Sequence, residues 1–250
     1  MKWLLIVCTS LFITLCTSAQ DVNTIIADAH KIEAIPNEKG AFLKFKEVLK
    51  IQPNNLVALV KCSELCCRIG AREKNTQVRD EYYNTAVIYA KTAYRLYPNS
   101  DEANVAMALA IGRTILLKSG KEKIVAVREL KAYADKAVAV NPSNFKGWHI
   151  LGKWHYEVSN LNAIERAGAK IMYGGIPSAS LKTSISSYEK AKMLSPGFTL
   201  NYLELAKAYW RNDDDDKAIA QLNYLLTLKN QTEDDPRIKE EAKTLLKKWQ

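Results

Sequence analysis

Little in this sequence offers catalytic chemistry. Histidine occurs three times in 250 residues, and no His-Glu-x-x-His pair is among them. There is no Gly-x-Ser-x-Gly elbow, no Cys/His dyad and no phosphate loop ending in Lys. The nearest thing to a Gly-rich loop is "MYGGIPSAS", 172–180, which reads as a Gly-made turn followed by Pro177 and a Ser-capped helix. Alternating β-branched runs are scarce, which argues against a sheet protein. No block of Lys and Arg with interleaved aromatics marks a nucleic-acid groove, although the formal net charge is +9. Both signs are interspersed, as on solvated helix faces.

Cysteine is also sparse, and two of the five lie at the very start. The other three, Cys62, Cys66 and Cys67, are an odd number within one short segment. That excludes a disulfide framework. Cys62 and Cys66 share a helix face, where disulfide geometry is poor, and no nearby His or further Cys completes a four-ligand metal site. Buried apolar thiols are the expectation.

The start of the chain reads as an export signal. Lys2 precedes an apolar run from Trp3 to Leu15, and Thr17-Ser18-Ala19 makes a small-residue cleavage site before Gln20. Residues 1–19 are therefore assigned as a signal peptide, and 20–250 as the mature domain. The ending "TSAQ" has a bacterial look, so a periplasmic or secreted location is expected. Lipidation at Cys16 is disfavoured because Leu15 stands where a small residue is wanted. Once Lys2 is removed, the charge falls from +9 to +8, and no membrane-spanning run is left.

What remains is helix after helix, rich in Ala, Leu, Lys and Glu, with apolar residues three and four apart. Prolines punctuate it at "LKIQPNN", "RLYPNSDEA", "AVNPSNFKG" and "MLSPGFTLN". Each stops one helix and precedes the next. Pro53, Pro98, Pro142 and Pro196 are separated by 45, 44 and 54 residues. With the prolines aligned, the flanks fall into register. Phe45, Ala90, Ala134 and Tyr188 precede them by eight, and Val48, Ala93, Ala137 and Ala191 by five. Ser63, Ala108, Gly152 and Ala206 follow by ten. Large residues repeat with large ones, and small with small.

This pattern resembles the tetratricopeptide repeat, Trp-x2-Leu-Gly-x2-Tyr followed by small, aromatic, Ala and Pro positions. Trp148, Leu151 and Gly152 match it directly, with His155 in place of Tyr. Tyr202, Leu205, Ala206, Tyr209, Ala218, Leu222 and Leu225 match it again. The small residue lets paired helices approach closely. The expected fold is all-α, a tetratricopeptide-like α-solenoid of about five helix pairs with a C-terminal capping helix near 237–249. The first pair is expected at 22–34 and 38–51. The chain exceeds the usual 34-residue period, and the excess falls between paired helices near 70–79, 118–127 and 160–178. "NDDDDKA", 212–218, lacks the oxygen spacing and Gly of a calcium loop. It reads as an acidic cap on a helix.

In such solenoids the first helix of each pair lines the concave face. Three stripes lie off the repeat core in this reading: Val105, Leu109 and Arg113; His149, Lys153 and Tyr156; Leu203, Lys207 and Trp210. They predict an apolar groove with a few cations, suited to a peptide carboxylate or a phospholipid. His149 and His155 are six apart and point more than a quarter-turn from one another, so a shared metal is not expected. No cofactor is expected either.

The stretch from Lys131 to Tyr209 resembles the regulator of microtubule dynamics family. Three features carry this: Trp148-x2-Leu-Gly-x-Trp154 with Glu157-Val158 after it, the insertion "LNAIERAGAKIMYGGIPS", and the restart "LSPGFTLNYLELAKAY". The resemblance implies a non-enzymatic helical-repeat adaptor that binds protein. Animal members associate with microtubules or mitochondrial contact sites, and one resembles a lipid-binding module. The export signal departs from that setting, so the resemblance implies the scaffold rather than a cytoskeletal role.

Overall fold

The computed structural model describes residues 22–249. The leader assigned to 1–19, with Cys16, lies outside them. Among the described residues there are twelve α-helices and no strand. α1 spans 22–34, followed by α2 Glu38–Ile51, α3 Leu56–Arg72, α4 Thr76–Leu96 and α5 Asp101–Thr114. Next come a short turn of 3-10 helix at Ile115–Leu117, α6 Gly120–Val140, α7 Phe145–Ser159 and α8 Ala163–Tyr173. The chain closes with α9 Leu181–Leu194, α10 Thr199–Arg211, α11 Asp215–Thr227 and α12 Asp235–Trp249. α3/α4, α5/α6, α7/α9 and α10/α11 form antiparallel pairs, and α12 caps the last; Val22 and Ala29 of α1 pack with Ala41, Phe45 and Val48 of α2 to make the fifth pair. This is the tetratricopeptide-like solenoid expected from the repeats.

The prolines set each repeat through two local devices. Two residues after Pro53, Pro98 and Pro142 stand Asn55, Ser100 and Asn144. Their side chains accept from the backbone N–H of Ala58, Ala103 and Gly147 at 3.0, 3.2 and 3.0 Å. Each such cap is worth about 1 kcal/mol. After Pro196 the position is Phe198, which has no capping side chain. Six residues after a Pro, Asn104, Trp148 and Tyr202 each donate to that Pro's carbonyl oxygen, at 3.0, 2.8 and 2.9 Å. Three chemically different side chains thus satisfy one recurring acceptor, which a broken helix would otherwise leave orphaned.

Packing within the pairs follows the small/large register. Phe45, Ala90, Ala134 and Tyr188 are fully buried, as are Val48, Ala93, Ala137 and Ala191. The small position is tightest at Gly152. A Cβ there would stand 2.6 Å from the Tyr188 ring, and the Ser184 hydroxyl donates to the Gly152 carbonyl at 2.7 Å. Ser63 plays the same part in the second pair, donating to Ala86 at 2.9 Å.

The excess over a 34-residue period is mostly helix. α3 and α4 lengthen until only three residues separate them, and α6 begins at Gly120. The third excess forms α8 within 160–178. Asn162 and Glu165 close a reciprocal capping box on α8, and Gly174 ends it at φ 77°, where a residue without Cβ is favoured. In "NDDDDKA", Asp215 and Asp216 lie in the first turn of α11, where they complement its dipole. The Asp214 carboxylate does not cap the helix. It accepts instead from Asn212 and Lys217 at 2.7 and 3.3 Å.

Cys62, Cys66 and Cys67 are free and buried. Burial pushes the Cys62 and Cys67 thiols up to about 12 and raises Cys66 as well. None is a thiolate at neutral pH, so none is a ready nucleophile. Among the described residues no helix is long and apolar enough to cross a membrane.

Candidate interaction face

The first helices of the pairs converge on one side of the solenoid. Lys146 of α7 reaches Glu64 of α3 at 2.5 Å, past the intervening α5. Such a contact requires the first helices to line the inside of a curve. Ion pairs cover this inner wall. Glu33 of α1 takes Lys61 at 2.9 Å and Arg68 at 2.5 Å. Lys153 of α7 holds Glu204 of α10 at 2.7 Å and Glu157 at 2.9 Å. Lys207 joins Glu204 at 3.2 Å to Glu241 of α12 at 2.6 Å.

The partners hold one another charged. Burial works to raise the Glu33 carboxyl, but Lys61 and Arg68 prevail and bring it down to about 2. Glu64 and Glu204 show the same balance. Burial opposes their ionisation, while Lys146 and Lys61 in one case, and Lys153 and Lys207 in the other, bring both below the usual carboxylate range. Lys153 and Lys207 are correspondingly raised: burial disfavours their charge and Glu204 outweighs it.

The first and last repeats also meet. Arg72 at the end of α3 binds Glu38 of α2 at 2.6 Å, Glu233 at 3.1 Å and Asp234 at 3.2 Å. The Glu38 N–H donates to Glu233 at 2.7 Å. Glu38 is fully buried, so this cluster clasps the start of the solenoid to its end.

The nine candidate residues divide among three settings. Val105, Leu203 and His149 are buried, at 1, 1 and 8% exposure, and do not line an open groove as expected. His149 Nδ1 lies 2.9 Å from Asn201 Oδ1, and Asn201 Nδ2 donates to the Tyr188 carbonyl at 2.9 Å. That second bond orients the amide, so His149 Nδ1 carries the proton. Burial lowers the His149 pKa against the pull of Asn201, and the ring stays neutral. His155, expected in the core, is only half-buried; Trp154 fills that space and donates to the Val127 carbonyl at 2.9 Å. Trp148 is likewise half-buried.

Four more candidates are on the wall but already engaged. Lys153 and Lys207 are ion-paired as described. The Arg211 guanidinium sits 4.0 Å above the Tyr156 ring, and Trp210 stacks on Trp249 of α12 at 4.3 Å. Leu109 packs partly into the core of the α3–α6 region. Arg113 differs. It is half-buried near Cys67 and Tyr83, and its charge favours ionisation of both. Among the described residues no carboxylate, from α5 or from a neighbouring helix, pairs with it.

Residues 25–250 match the family described as Regulator of microtubule dynamics protein 1-3. The chain belongs to this family. It is 26% identical over 173 residues to Regulator of microtubule dynamics protein 2 of Homo sapiens, covering 69% of this chain and 42% of that protein. It is 28% identical over 160 residues to Regulator of microtubule dynamics protein 1 of Caenorhabditis elegans, covering 64% and 71%. The chain thus spans less than half the length of the human relative. Among solved structures, a thermophilic TPR protein in Thermus thermophilus superposes with a TM-score of 0.66 at 15% identity. That superposition covers 90% of this chain and 98% of the other. Identity that low establishes the shared fold alone.

Family membership leaves the wall chemistry to this chain's own residues, several of which sequence reasoning passed over. Glu33, Glu64 and Glu204 anchor the ion pairs, and Arg72 makes the clasp. One signal was present in the repeat register. Seven residues after each Pro stand Val60, Val105, His149 and Leu203, apolar in three of four and buried in all. Eleven after stand Glu64, Leu109, Lys153 and Lys207, the row that faces inward.

Proposed function

We propose that this chain is an exported, non-enzymatic helical-repeat scaffold that binds a protein or peptide along its inner wall, in the periplasm or cell envelope. One observation carries the reading. The wall is a run of ion pairs, half-exposed at Lys153 and Lys207, interrupted at α5 by the unpaired Arg113. Lys153 and Lys207 keep part of their side chains in solvent, so a partner's carboxylates can join their ion pairs without breaking them. Arg113 offers a planar, always-charged donor to a partner carboxylate. The leader at 1–19 supports export. The relatives' names refer to microtubule dynamics, which an exported chain would not meet, so the scaffold is what carries over.

A photo-crosslinking residue at position 113 or 153 should capture a discrete protein partner in cells. The same residue at Met193, which is 72% exposed, should not. Identical capture at all three positions, or none at 113 and 153, would refute the proposed face. A second reading rests on Leu109 beside Arg113, an apolar residue next to a free cation: a carrier of a phospholipid or other amphipathic anion. Stoichiometric lipid retained in native mass spectrometry, and lost in Arg113→Ala, would favour it over the scaffold.

A further inference from the structure

We propose that Arg72 and the start of α2 form a recognition site for a short acidic peptide, and that the chain's own Glu233-Asp234 pair occupies this site in cis. The Glu233 carboxylate is held from two directions. One oxygen accepts from the Glu38 N–H at 2.7 Å, and the other lies 3.1 Å from Arg72 Nη2. Glu38 is the first residue of α2, so its N–H has no acceptor within that helix. A helix-start donor beside a guanidinium is a receptor for a carboxylate, and here a carboxylate is seated in it. Asp234 adds a second contact, 3.2 Å from Arg72 Nη1.

Each side of this joint is built without the other. On the receptor side, the buried Glu38 carboxylate pins the Arg72 guanidinium at 2.6 Å. On the occupant side, Asp235 accepts from the backbone N–H of Gln231 and Thr232 at 2.6 and 3.0 Å, and from the Thr232 hydroxyl at 2.9 Å. The turn at 231–235 therefore keeps its shape when undocked, and so does the receptor, which lowers the ordering cost of an exchange. No apolar cluster among the described residues joins this turn to α2 or α3. Charge alone holds the joint, and the Glu233 side chain remains 33% exposed.

The cis pair also leaves binding capacity unused. Arg72 Nη1 and Arg68 Nε are buried and donate no hydrogen bond, and Asp234 Oδ1 accepts none. Both guanidiniums lie against Glu38, at 2.6 and 3.4 Å, so the two unused donors are neighbours. Buried donors are normally filled, and a peptide whose second carboxylate reaches deeper than Asp234 would fill them. Everywhere else the repeats are joined by packed apolar side chains. The charged joint is therefore the seam at which the solenoid opens, and a peptide that displaces 233–234 parts the first repeat from the last.

The probe is a labelled peptide of the chain's own sequence at 229–236, KNQTEDDP, titrated by fluorescence anisotropy. In the intact chain the cis pair competes with it at a roughly millimolar effective concentration. Glu233→Gln with Asp234→Asn removes that competition and should tighten probe binding about tenfold or more over the unaltered chain. Adding Arg72→Lys keeps the charge but loses the fork. It should abolish the gain while the circular dichroism spectrum stays the same. A probe with Gln and Asn in place of its Glu and first Asp should not bind. Spin labels on Lys74→Cys and Lys229→Cys, both exposed, should report a longer and broader distance when 233 and 234 are neutralised or when probe saturates the site; the native thiols are buried. Equal probe affinity with and without the cis pair, binding of the neutral probe, or an unchanged label distance would overturn the proposal. Arg113→Ala should leave probe binding as it is, because this site is separate from the inner wall. Loss of binding in that variant would overturn the proposal and leave the inner-wall reading standing.

Discussion

Gly152→Ala is the sharpest probe of the repeat geometry. The added Cβ would lie 2.6 Å from Tyr188 Cδ1 and 2.8 Å from Cε1 and Cγ, about 1 Å inside ordinary carbon contact. Tyr188 is fully buried and has no free space to swing into. The helices α7 and α9 must therefore separate, which stretches the 2.7 Å bond from Ser184 to the Gly152 carbonyl. Overpacking of this kind costs roughly 1–3 kcal/mol, and the weakened buried hydrogen bond about 1 more. The gain in helix propensity from Gly to Ala offsets about 1. The net loss is roughly 1–3 kcal/mol, a fall in melting temperature of roughly 2–12 °C for a chain of this size. Gly168→Ala is the control. Its Cβ meets nothing within 4 Å, and it should stabilise by about 0.5–1 kcal/mol. Urea unfolding followed by circular dichroism measures both. Adding Tyr188→Leu to Gly152→Ala should recover part of the loss, as coupled neighbours do. If Gly152→Ala stabilises as much as Gly168→Ala, the close approach of α7 and α9 is wrong.

Two further perturbations act on charge. His149 is neutral in the fold because burial lowers its pKa from the ordinary 6.5. The unfolded chain binds that proton first, so stability is full above pH 6.5 and falls below it, by up to about 1.4 kcal/mol per pH unit. His149→Gln should remove its share of this slope and leave that of His155, whose pKa burial also lowers; an unchanged urea midpoint profile would refute the assignment. Glu33, lowered from 4.5 to about 2, and Glu204, lowered with it, contribute stability above pH 4.5 that is lost as pH falls further, in wild type and variant alike. Arg72→Met should open the clasp. It strips Glu38, Glu233 and Asp234 of their shared cation, should cost about 3 kcal/mol, and should enlarge the maximum dimension in small-angle X-ray scattering; an unchanged profile would show that the ends are held by other contacts.

The repeats were readable because their causes are local. Pro53, Pro98 and Pro142 each break a helix, and Asn55, Ser100 and Asn144 each cap the next. A repeat with small residues ten positions after Pro follows from how closely two helices can pack. α8 was not readable as a helix on its own, since its apolar stripe packs against nothing in the fold and "YGGIP" resembles a turn. The assignment of His149 failed for a related reason. Its stripe with Lys153 and Tyr156 is a genuine helix face, but the His149 end of that face tilts under Phe198 and Tyr188.

By itself the sequence determines the all-α class, the number of helix pairs, their starts and their small-to-large contacts. Each of these depends on backbone chemistry within a few residues or on a period that repeats. Tertiary structure alone decides which side of each first helix faces inward and which cations there are free. A charge is paired or unpaired according to what stands opposite, and for Lys146, Lys153 and Arg72 the partners come from 82, 51 and 34 residues away. Nothing beside Arg113 in the sequence sets it apart from those cations, and only the packing of the neighbouring helices leaves it without a carboxylate.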